Sequence, residues 1–274
     1  MTDSVVTPAE QIAAGYETTG AALELGSVIV GGHVDPAAQI RIPLAMMNRH
    51  GLVAGATGTG KTVTLQVIAE QLSANGVPVV MADFKGDLSG LSRPGEPNEK
   101  VAERAKDTGD DWVATPFPVE FLSLGTGGIG VPVRATISAF GPILLSKVLG
   151  LSQTQESSLG LIFHYADQQG LPLLDLKDLR SLITFLTNTD EGKAELKAIG
   201  AVSSQTAGVI LRALINLEAD GGDTFFGEPE LDPADLLRTD SQGRGVISLF
   251  ELGDQASRPV MFSTFLMWVL ADLF

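Results

Sequence analysis

An eight-residue segment, residues 55–62 (GATGTGKT), limits the possible folds of this chain more than any other feature of its sequence. The segment matches the pattern G-x-x-x-x-G-K-[ST] at every position. Its glycines permit backbone angles that a side chain would block, so successive N–H groups can point towards one anion. An apolar run precedes the segment, and a stretch of helical character follows it. The pattern therefore predicts a strand, a phosphate-binding loop and a helix, with the phosphates of ATP as the ligand.

The residue types in this loop predict how ATP and Mg²⁺ would be bound. Lys61 is expected to reach the β- and γ-phosphates as a catalytic residue, and Thr62 to offer its hydroxyl to Mg²⁺. The helix that follows would add the positive end of its dipole. ATP and Mg²⁺ are thus the predicted cofactors. The predicted nucleotide-binding residues are Gly55, Ala56, Thr57, Gly58, Thr59, Gly60, Lys61, Thr62 and Val63.

A second polar motif, residues 83–87 (DFKGD), follows the next apolar run along the chain. In open α/β sheets, ligands bind beyond the carboxyl ends of the strands. Asp83 is therefore a candidate catalytic residue that would bond a water on Mg²⁺ or the attacking water. Lys85 could contact phosphate or a neighbouring subunit. The same spacing also fits an ordinary polar turn that uses Gly86.

The order of the predicted elements indicates an α/β fold. From residue 49 onwards, apolar runs alternate with helical stretches, which is the β-loop-α-β order of a doubly wound, mainly parallel sheet. A helical stretch from about residue 140 to residue 221 indicates an inserted helical subdomain. The predicted divisions are residues 1–48, an N-terminal helix and small β element; 49–138, the first part of the core; 139–222, the helical insertion; and 223–274, the return to the core.

The bounds of the individual elements follow from apolar periodicity and from turn and capping residues. A glycine-rich stretch, residues 125–128, is expected to be a hairpin or a flexible connection between two strands. Strands are predicted at residues 22–30, 39–42, 51–54, 77–82, 119–124, 131–137 and 245–252, and helices at residues 8–14, 61–75, 175–186, 203–218 and 259–271.

The composition excludes several classes of function. With 33 Asp and Glu residues against 18 Lys and Arg residues, the net charge is −15, which argues against a broad basic surface for nucleic acid. It leaves open a nucleic acid that a few residues grip inside the channel of an oligomer. The chain has no cysteine, which excludes disulfides, thiolate metal sites and cysteine nucleophiles.

Nothing in the sequence predicts secretion or membrane insertion. The first residues lack the basic and apolar regions of a signal peptide. The most apolar stretch, residues 260–274, is shorter than the roughly 20 residues needed to cross a bilayer, and Ser263, Thr264 and Asp272 interrupt it. We therefore expect a soluble, cytoplasmic protein.

Five stretches of sequence together resemble the HerA/FtsK class of ring-forming P-loop ATPases, and most closely the YjgR group of HerA-like helicases. The similarity extends over nearly the whole chain. The phosphate loop is common to many proteins, whereas the later stretches are more specific to this group. The five are residues 48–54 (NRHGLVA), 55–62, 83–87, 225–229 (FFGEP) and 245–249 (GVISL).

The resemblance implies a RecA-like core that assembles as a hexamer around a central channel. In similar proteins, the helix that matches residues 259–274 is followed by a strand ending in Asp-Glu, which carries the Mg²⁺-linked aspartate and the catalytic glutamate. This sequence ends before such a strand, so we expect a fragment of a longer protein, with a natural chain that stops there as the alternative. In either case Glu251 is not expected to act as the catalytic base.

A few residues outside the motifs are further candidates. Arg212 lies on a predicted helix and is a candidate arginine finger acting in trans, although an exposed helical arginine is usually solvated. His50 could approach the nucleotide or a neighbouring subunit. His164 is expected at the core or its boundary. Trp112 and Trp268 are expected to pack rather than to stack on bases, because neither lies among basic residues.

The sequence thus favours an ATPase of the HerA-like DNA translocase or helicase type. The DNA part of this hypothesis depends on the resemblance alone. The alternative is an ATP-gated regulatory or binding protein without motor activity. A P-loop phosphotransferase is a third class, but no acceptor pocket is recognisable in the sequence.

Overall fold

The computed structural model describes residues 6–124, 129–253 and 259–273, without the side chain of Pro259. The chain divides into two compact units. Unit 1 comprises Met1–Glu120 and Leu236–Leu249, and unit 2 comprises Phe121–Asp235 and Phe250–Phe274. The glycine-rich connection predicted at residues 125–128 lies outside the described residues.

Unit 1 begins with a helix and a β-hairpin. Helix α1 (Pro8–Ala14) is closed at its start by Thr7, whose hydroxyl accepts from the Glu10 N–H while the Glu10 carboxylate accepts from the Thr7 N–H. Strands β1 (Ala22–Val30) and β2 (His33–Pro43) pair in antiparallel fashion. Their two-residue turn consists of glycines with positive φ angles, which is the turn that suits the twist of paired strands. The small core of this element is Ala9, Val28 and Ala38.

Helix α2 (Lys61–Ala74) follows the phosphate loop. Its last turn is hydrogen-bonded to the segment that precedes the strand at Ile247–Glu251. Ser73 is fully buried, and its hydroxyl donates to the Gly245 carbonyl at 2.5 Å. The Gly245 N–H in turn donates to the Ser73 carbonyl at 2.8 Å. A β-carbon at Gly245 would lie 2.1 Å from the Val77 carbonyl oxygen. Only glycine therefore allows this close approach of two backbones.

A second pair of hydrogen bonds joins α2 to the hairpin. The Gln71 amide nitrogen donates to the Glu24 carbonyl at 2.7 Å, and the Gln71 amide oxygen accepts from the Glu24 N–H at 2.6 Å. A side-chain amide thus pairs with β1 as a neighbouring strand would. It does so where the β1–β2 register shifts, between Glu24 and Gly26.

The main sheet has four strands in the order β3-β6-β4-β5. They are β3 (Val79–Asp83), β4 (Val119–Leu124), β5 (Val131–Val133) and β6 (Ile247–Glu251). The Val79 N–H donates to the Val246 carbonyl, and the Ile247 N–H donates to the Pro118 carbonyl. Strands β4 and β5 are parallel, with Leu122 opposite Val131. Helix α3 (Glu99–Thr108) lies in the connection between β3 and β4.

Unit 2 is mainly helical. Its helices begin at capping residues with extended backbone angles, among them Thr136, Asp175 and Ser203, whose side chains accept from N–H groups of the first turn. The helices are α4 (Ile137–Val148), α5 (Gln153–Gln168), α6 (Leu176–Asn188), α7 (Asp190–Ile199), α8 (Ser204–Ala219) and α9 (Pro259–Asp272).

Aromatic rings form the centre of unit 2. Phe225 packs edge to face on Phe226, with ring centroids 4.7 Å apart, and on Phe265, at 5.3 Å. Phe140 lies 5.2 Å from Phe226 in the same orientation. Trp268 is 4 % exposed and packs on Phe265, which confirms the packing role predicted for this tryptophan. Such ring pairs add about 0.5–1.5 kcal/mol each beyond the area they bury.

The α/β fold, the parallel sheet and the run of helices between β5 and β6 confirm the predicted fold class. Most element bounds agree to within a few residues. Strand β2 starts earlier than predicted, because the hairpin turn needs only the two glycines before it. Strand β5 ends earlier than predicted, because Thr136 caps α4. The hairpin expected between β4 and β5 is wrong, because the two strands are parallel.

The strand predicted at residues 51–54 is also wrong. These residues have no strand assignment, and Leu52 is 89 % exposed. Apolar character alone cannot make a strand, because a strand requires a neighbour whose backbone groups pair with its own. The nearly continuous apolar run that forms β3 is typical of a parallel strand covered on both faces. Its residues alternate in burial, and Val80 is 36 % exposed, so β3 is not covered on both faces.

No single helix in the described part of the chain is long and apolar enough to cross a membrane. Among the described residues, only α7 and α8 taken together are long and apolar enough to cross a membrane. These two helices are bent by 103° at their junction.

The approach of Gly245 to Val77 gives a test of the unit 1 core. We expect Gly245→Ala to lower the free energy of unfolding by about 1–3 kcal/mol, because the added methyl group must displace packed backbone. Gly90→Ala is the matched control, since a β-carbon there meets nothing within 4 Å. Urea denaturation of both variants measures the difference. Equal stability of the two would contradict the observed contact.

Candidate nucleotide-binding site

The phosphate loop is a tight, exposed turn. Gly58 and Gly60 have φ angles of +80° and +90°, which side chains disfavour. The Thr59 hydroxyl donates to the Ala56 carbonyl at 2.8 Å and closes the turn. A β-carbon at Gly55 would lie 2.5 Å from that hydroxyl oxygen. The two pattern glycines, Gly55 and Gly60, and Gly58 between them therefore stand where the backbone path needs a glycine.

The Lys61 ammonium group lies across this turn. Its Nζ donates to the Ala56 carbonyl at 2.6 Å, and the residue is partly buried. The charge is thus held at the loop rather than extended into solvent. An ammonium in this position is a point charge with two further N–H groups available to phosphate oxygens.

The start of α2 supplies N–H donors next to that charge. The first hydrogen bond of the helix runs from the Thr64 N–H to the Gly60 carbonyl, at 2.9 Å. The N–H groups of Lys61, Thr62 and Val63 therefore have no acceptor within the helix. They coincide with the positive end of the helix dipole. Val63 can contribute its N–H only, because its side chain is apolar and 59 % exposed.

Asp83 ends β3 and is 2 % exposed. Its Oδ1 accepts from the N–H groups of Lys85 and Gly86, at 2.9 and 2.8 Å. Its Oδ2 accepts from the Leu88 N–H at 2.9 Å. The carboxylate thus holds the turn that follows the strand. The direct catalytic role predicted for Asp83 remains a prediction.

One hydrogen bond joins this turn to α2. The Gln66 amide nitrogen donates to the Asp87 carbonyl at 3.3 Å. Further along the same helix, burial raises the pKa of the Glu70 carboxyl. Glu70 is therefore easier to protonate than an exposed glutamate.

The other candidate residues lie in less specific surroundings. Arg212 is exposed on α8 in unit 2, and none of the four ion pairs between described residues includes it. His50 is exposed. His164 is exposed and lines a surface cavity beside Asp167. The position expected for His164, at the core or its boundary, is wrong, because its neighbours Ile162 and Tyr165 occupy the buried face of α5.

The stretch at residues 225–229 has a structural partner that sequence reasoning missed. The Arg134 guanidinium donates to the carbonyls of Asp223, Phe226 and Glu228, each at 2.8 Å. Gly227 has a φ of +137°, and a β-carbon there would lie 2.8 Å from the guanidinium. The glycine of this stretch was the only available signal, since glycine often marks a close approach.

This arrangement predicts a structural role for the stretch. We expect Arg134→Ala to lower the free energy of unfolding by about 2–4 kcal/mol, because three carbonyls lose a charged donor. Arg134→Lys should recover only part of this loss, since one ammonium cannot reproduce the planar fork. Chemical denaturation measures both. If Arg134→Ala is as stable as the unchanged chain, the stretch does not depend on this contact.

The comparison with protein families decides the class of this chain. The family of helicase HerA-like C-terminal domains matches residues 30–274. The chain belongs to this family. A comparison with curated proteins gives no match.

Solved structures share the fold of this HerA-like chain. The bacterial conjugative coupling protein TrwBdeltaN70, in complex with sulphate, is 15 % identical with a TM-score of 0.53, over 97 % of this chain and 58 % of that one. TrwB in complex with ADP and Mg²⁺ is 18 % identical with a TM-score of 0.52, over 96 % and 59 %. VirB4 of Thermoanaerobacter pseudethanolicus is 14 % identical with a TM-score of 0.53, over 92 % and 63 %.

At such identities the likeness shows the fold, which is that of a RecA-like P-loop ATPase. The chain spans about three fifths of the length of these solved chains.

Proposed function

We propose that this chain binds MgATP at residues 55–62 and forms part of an ATPase of the HerA-like DNA translocase or helicase type. The observation that carries the ATP site is the position of Lys61, whose Nζ lies over the loop at 2.6 Å from the Ala56 carbonyl. The N–H groups at the start of α2 adjoin it. Thr62, the first residue after the lysine, would bind Mg²⁺. Two TrwB structures contain ADP with Mg²⁺ and the ATP analogue ADPNP, which supports this choice of ligand.

Replacing the lysine tests the site. We expect Lys61→Ala to weaken ATP binding about 10- to 100-fold, because charge-assisted hydrogen bonds worth about 1.5–3 kcal/mol are lost. Lys100→Ala is the matched control, since Lys100 is exposed in the same unit, on α3. Calorimetric titration with ATP and Mg²⁺ measures both affinities. An unchanged affinity in Lys61→Ala would remove the ATP site from residues 55–62.

Movement on DNA by a homo-oligomer, a hexamer in the whole protein, is the second part of the proposal. Its support is the helicase description of the family and the resemblance of the later motifs. Because the net charge is −15, DNA would contact a few local residues in a channel rather than a broad surface. Arg212 would serve as an arginine finger in trans. Its side chain could reach a neighbouring subunit because Arg212 is exposed on α8. A cytoplasmic location is part of the same proposal.

A binding protein gated by ATP is the second candidate, and one observation favours it. The sequence predicts that Asp83, at the end of β3, bonds the attacking water or a water on Mg²⁺. Asp83 already accepts three backbone hydrogen bonds. Catalysis of hydrolysis needs a carboxylate close to the attacking water.

Turnover measurements separate these candidates. For the 274-residue chain, we expect phosphate release close to the uncatalysed rate, and for the assembled oligomer of the whole protein, hydrolysis that DNA accelerates. The assay is phosphate release with and without DNA. Slow hydrolysis that is indifferent to DNA would instead favour the ATP-gated protein. Phosphate found on a small acceptor would favour a phosphotransferase.

A further inference from the structure

The carboxylate of Asp83 is almost fully used by its own loop. An ionised carboxylate has about four acceptor positions, and three of them take the N–H groups of Lys85, Gly86 and Leu88. The side chain is also buried, with the residue 2 % exposed. Its charge is therefore directed into the backbone of residues 84–88 and not towards solvent or a ligand.

These bonds fix the shape of the loop. Both oxygens are used, so the carboxylate can neither rotate nor leave without breaking hydrogen bonds that are stronger than neutral ones. Gly86 supplies the turn with a φ of +69°. Leu88 is buried at the far end of the loop. The loop is thus anchored at both ends.

The loop lies against a defined face of α2. Gln66 donates to the Asp87 carbonyl, and Gln66 is four residues after Thr62 on the same helix. Residues at this spacing share one face, about 6 Å apart along the axis. The loop therefore adjoins the face of α2 that carries the hydroxyl expected to bind Mg²⁺.

Lys85 is the cation that this loop exposes. Phe84, Lys85, Gly86 and Asp87 are all exposed, whereas the residues on either side of them are buried. Lys85 is absent from the ion pairs between described residues. Its four-carbon stem can span a separation of about one helical turn. Asp87 is the other exposed charged residue of this loop, but phosphate would repel its negative charge.

We propose that Asp83 is a positioning residue that fixes residues 84–88 against the Thr62 face of α2, so that Lys85 contacts the terminal phosphate of bound ATP. The terminal phosphate is favoured because Thr62 would hold Mg²⁺, which would neutralise charge at that end of the nucleotide. The inference rests on the proposed ATP site. It assigns the contact with nucleotide to Lys85, and to Asp83 the placing of that lysine.

The test compares the affinities for a non-hydrolysable ATP analogue and for ADP, both with Mg²⁺. We expect Lys85→Met to weaken binding of the analogue about tenfold, the loss of one charge-assisted bond, and to change ADP affinity by less than about twofold. Asp83→Asn should reproduce this selective loss, because the amide cannot accept from all three N–H groups. Lys100→Met, on the exposed surface of α3, should change neither affinity.

A double-mutant cycle shows whether the two residues act together. The double variant Asp83→Asn with Lys85→Met should bind the analogue no more weakly than the weaker single variant, because both remove one contact. If Asp83→Asn does not fold, Gly86→Ala replaces it. A β-carbon there meets nothing within 4 Å, and the positive φ costs about 1–2 kcal/mol, so the loop is released without touching the buried carboxylate.

The outcomes separate this inference from the proposed function. Equal loss of analogue and ADP in Lys85→Met, or no loss, would overturn the contact of Lys85 with the terminal phosphate. Equal weakening of both ligands by Asp83→Asn, with full additivity in the cycle, would make Asp83 a structural residue only. If Lys61→Ala also leaves binding unchanged, the ATP site itself has failed. If binding still depends on Lys61, only the assignment of Lys85 has failed.

Discussion

The reciprocal hydrogen bonds between Ser73 and Gly245 determine where α2 lies in unit 1, and the phosphate site depends on that helix. Lys61 and Thr62 are its first residues, and the N–H groups that point out of its first turn move with its axis. A helix end is a useful anion site only if it is aimed correctly. Ser73 is fully buried, so water does not compete for its hydroxyl. This contact requires glycine at residue 245, because a β-carbon there would clash with the Val77 carbonyl.

Local patterns in the sequence predicted the parts of the site that depend on short segments. The loop at residues 55–62 and the helix from Lys61 follow from glycine positions and from the stretch of helical character that follows, because a turn and a helix form their hydrogen bonds within a few residues. The α/β order and the helical stretch at residues 140–221 follow for the same reason. Asp175 was expected to start a helix and does so, whereas Thr136 was placed in a strand and instead caps α4.

Features that depend on distant residues could not be predicted in this way. Whether residues 51–54 form a strand depends on a neighbour that the segment itself does not specify. Arg134 and the carbonyls it bonds are about 90 residues apart in sequence. The spacing around Asp83 fitted a turn and a catalytic role equally, and only the positions of three N–H groups distinguish what its oxygens do. His164 was expected at the core or its boundary because of its apolar neighbours, yet helical rotation turns it outward.

The amide pair between Gln71 and Glu24 has a mechanical consequence. Helix α2 is attached to three separate segments of unit 1 at three points along its axis. These points are Gln66 in its first half, Gln71, and Ser73 at its end. A helix that is attached at several points can tilt or slide along its axis only if the hydrogen bonds at all of these points break or rearrange. A displacement of α2 at the phosphates would therefore also load the β1–β2 hairpin, through the bonds between Gln71 and Glu24.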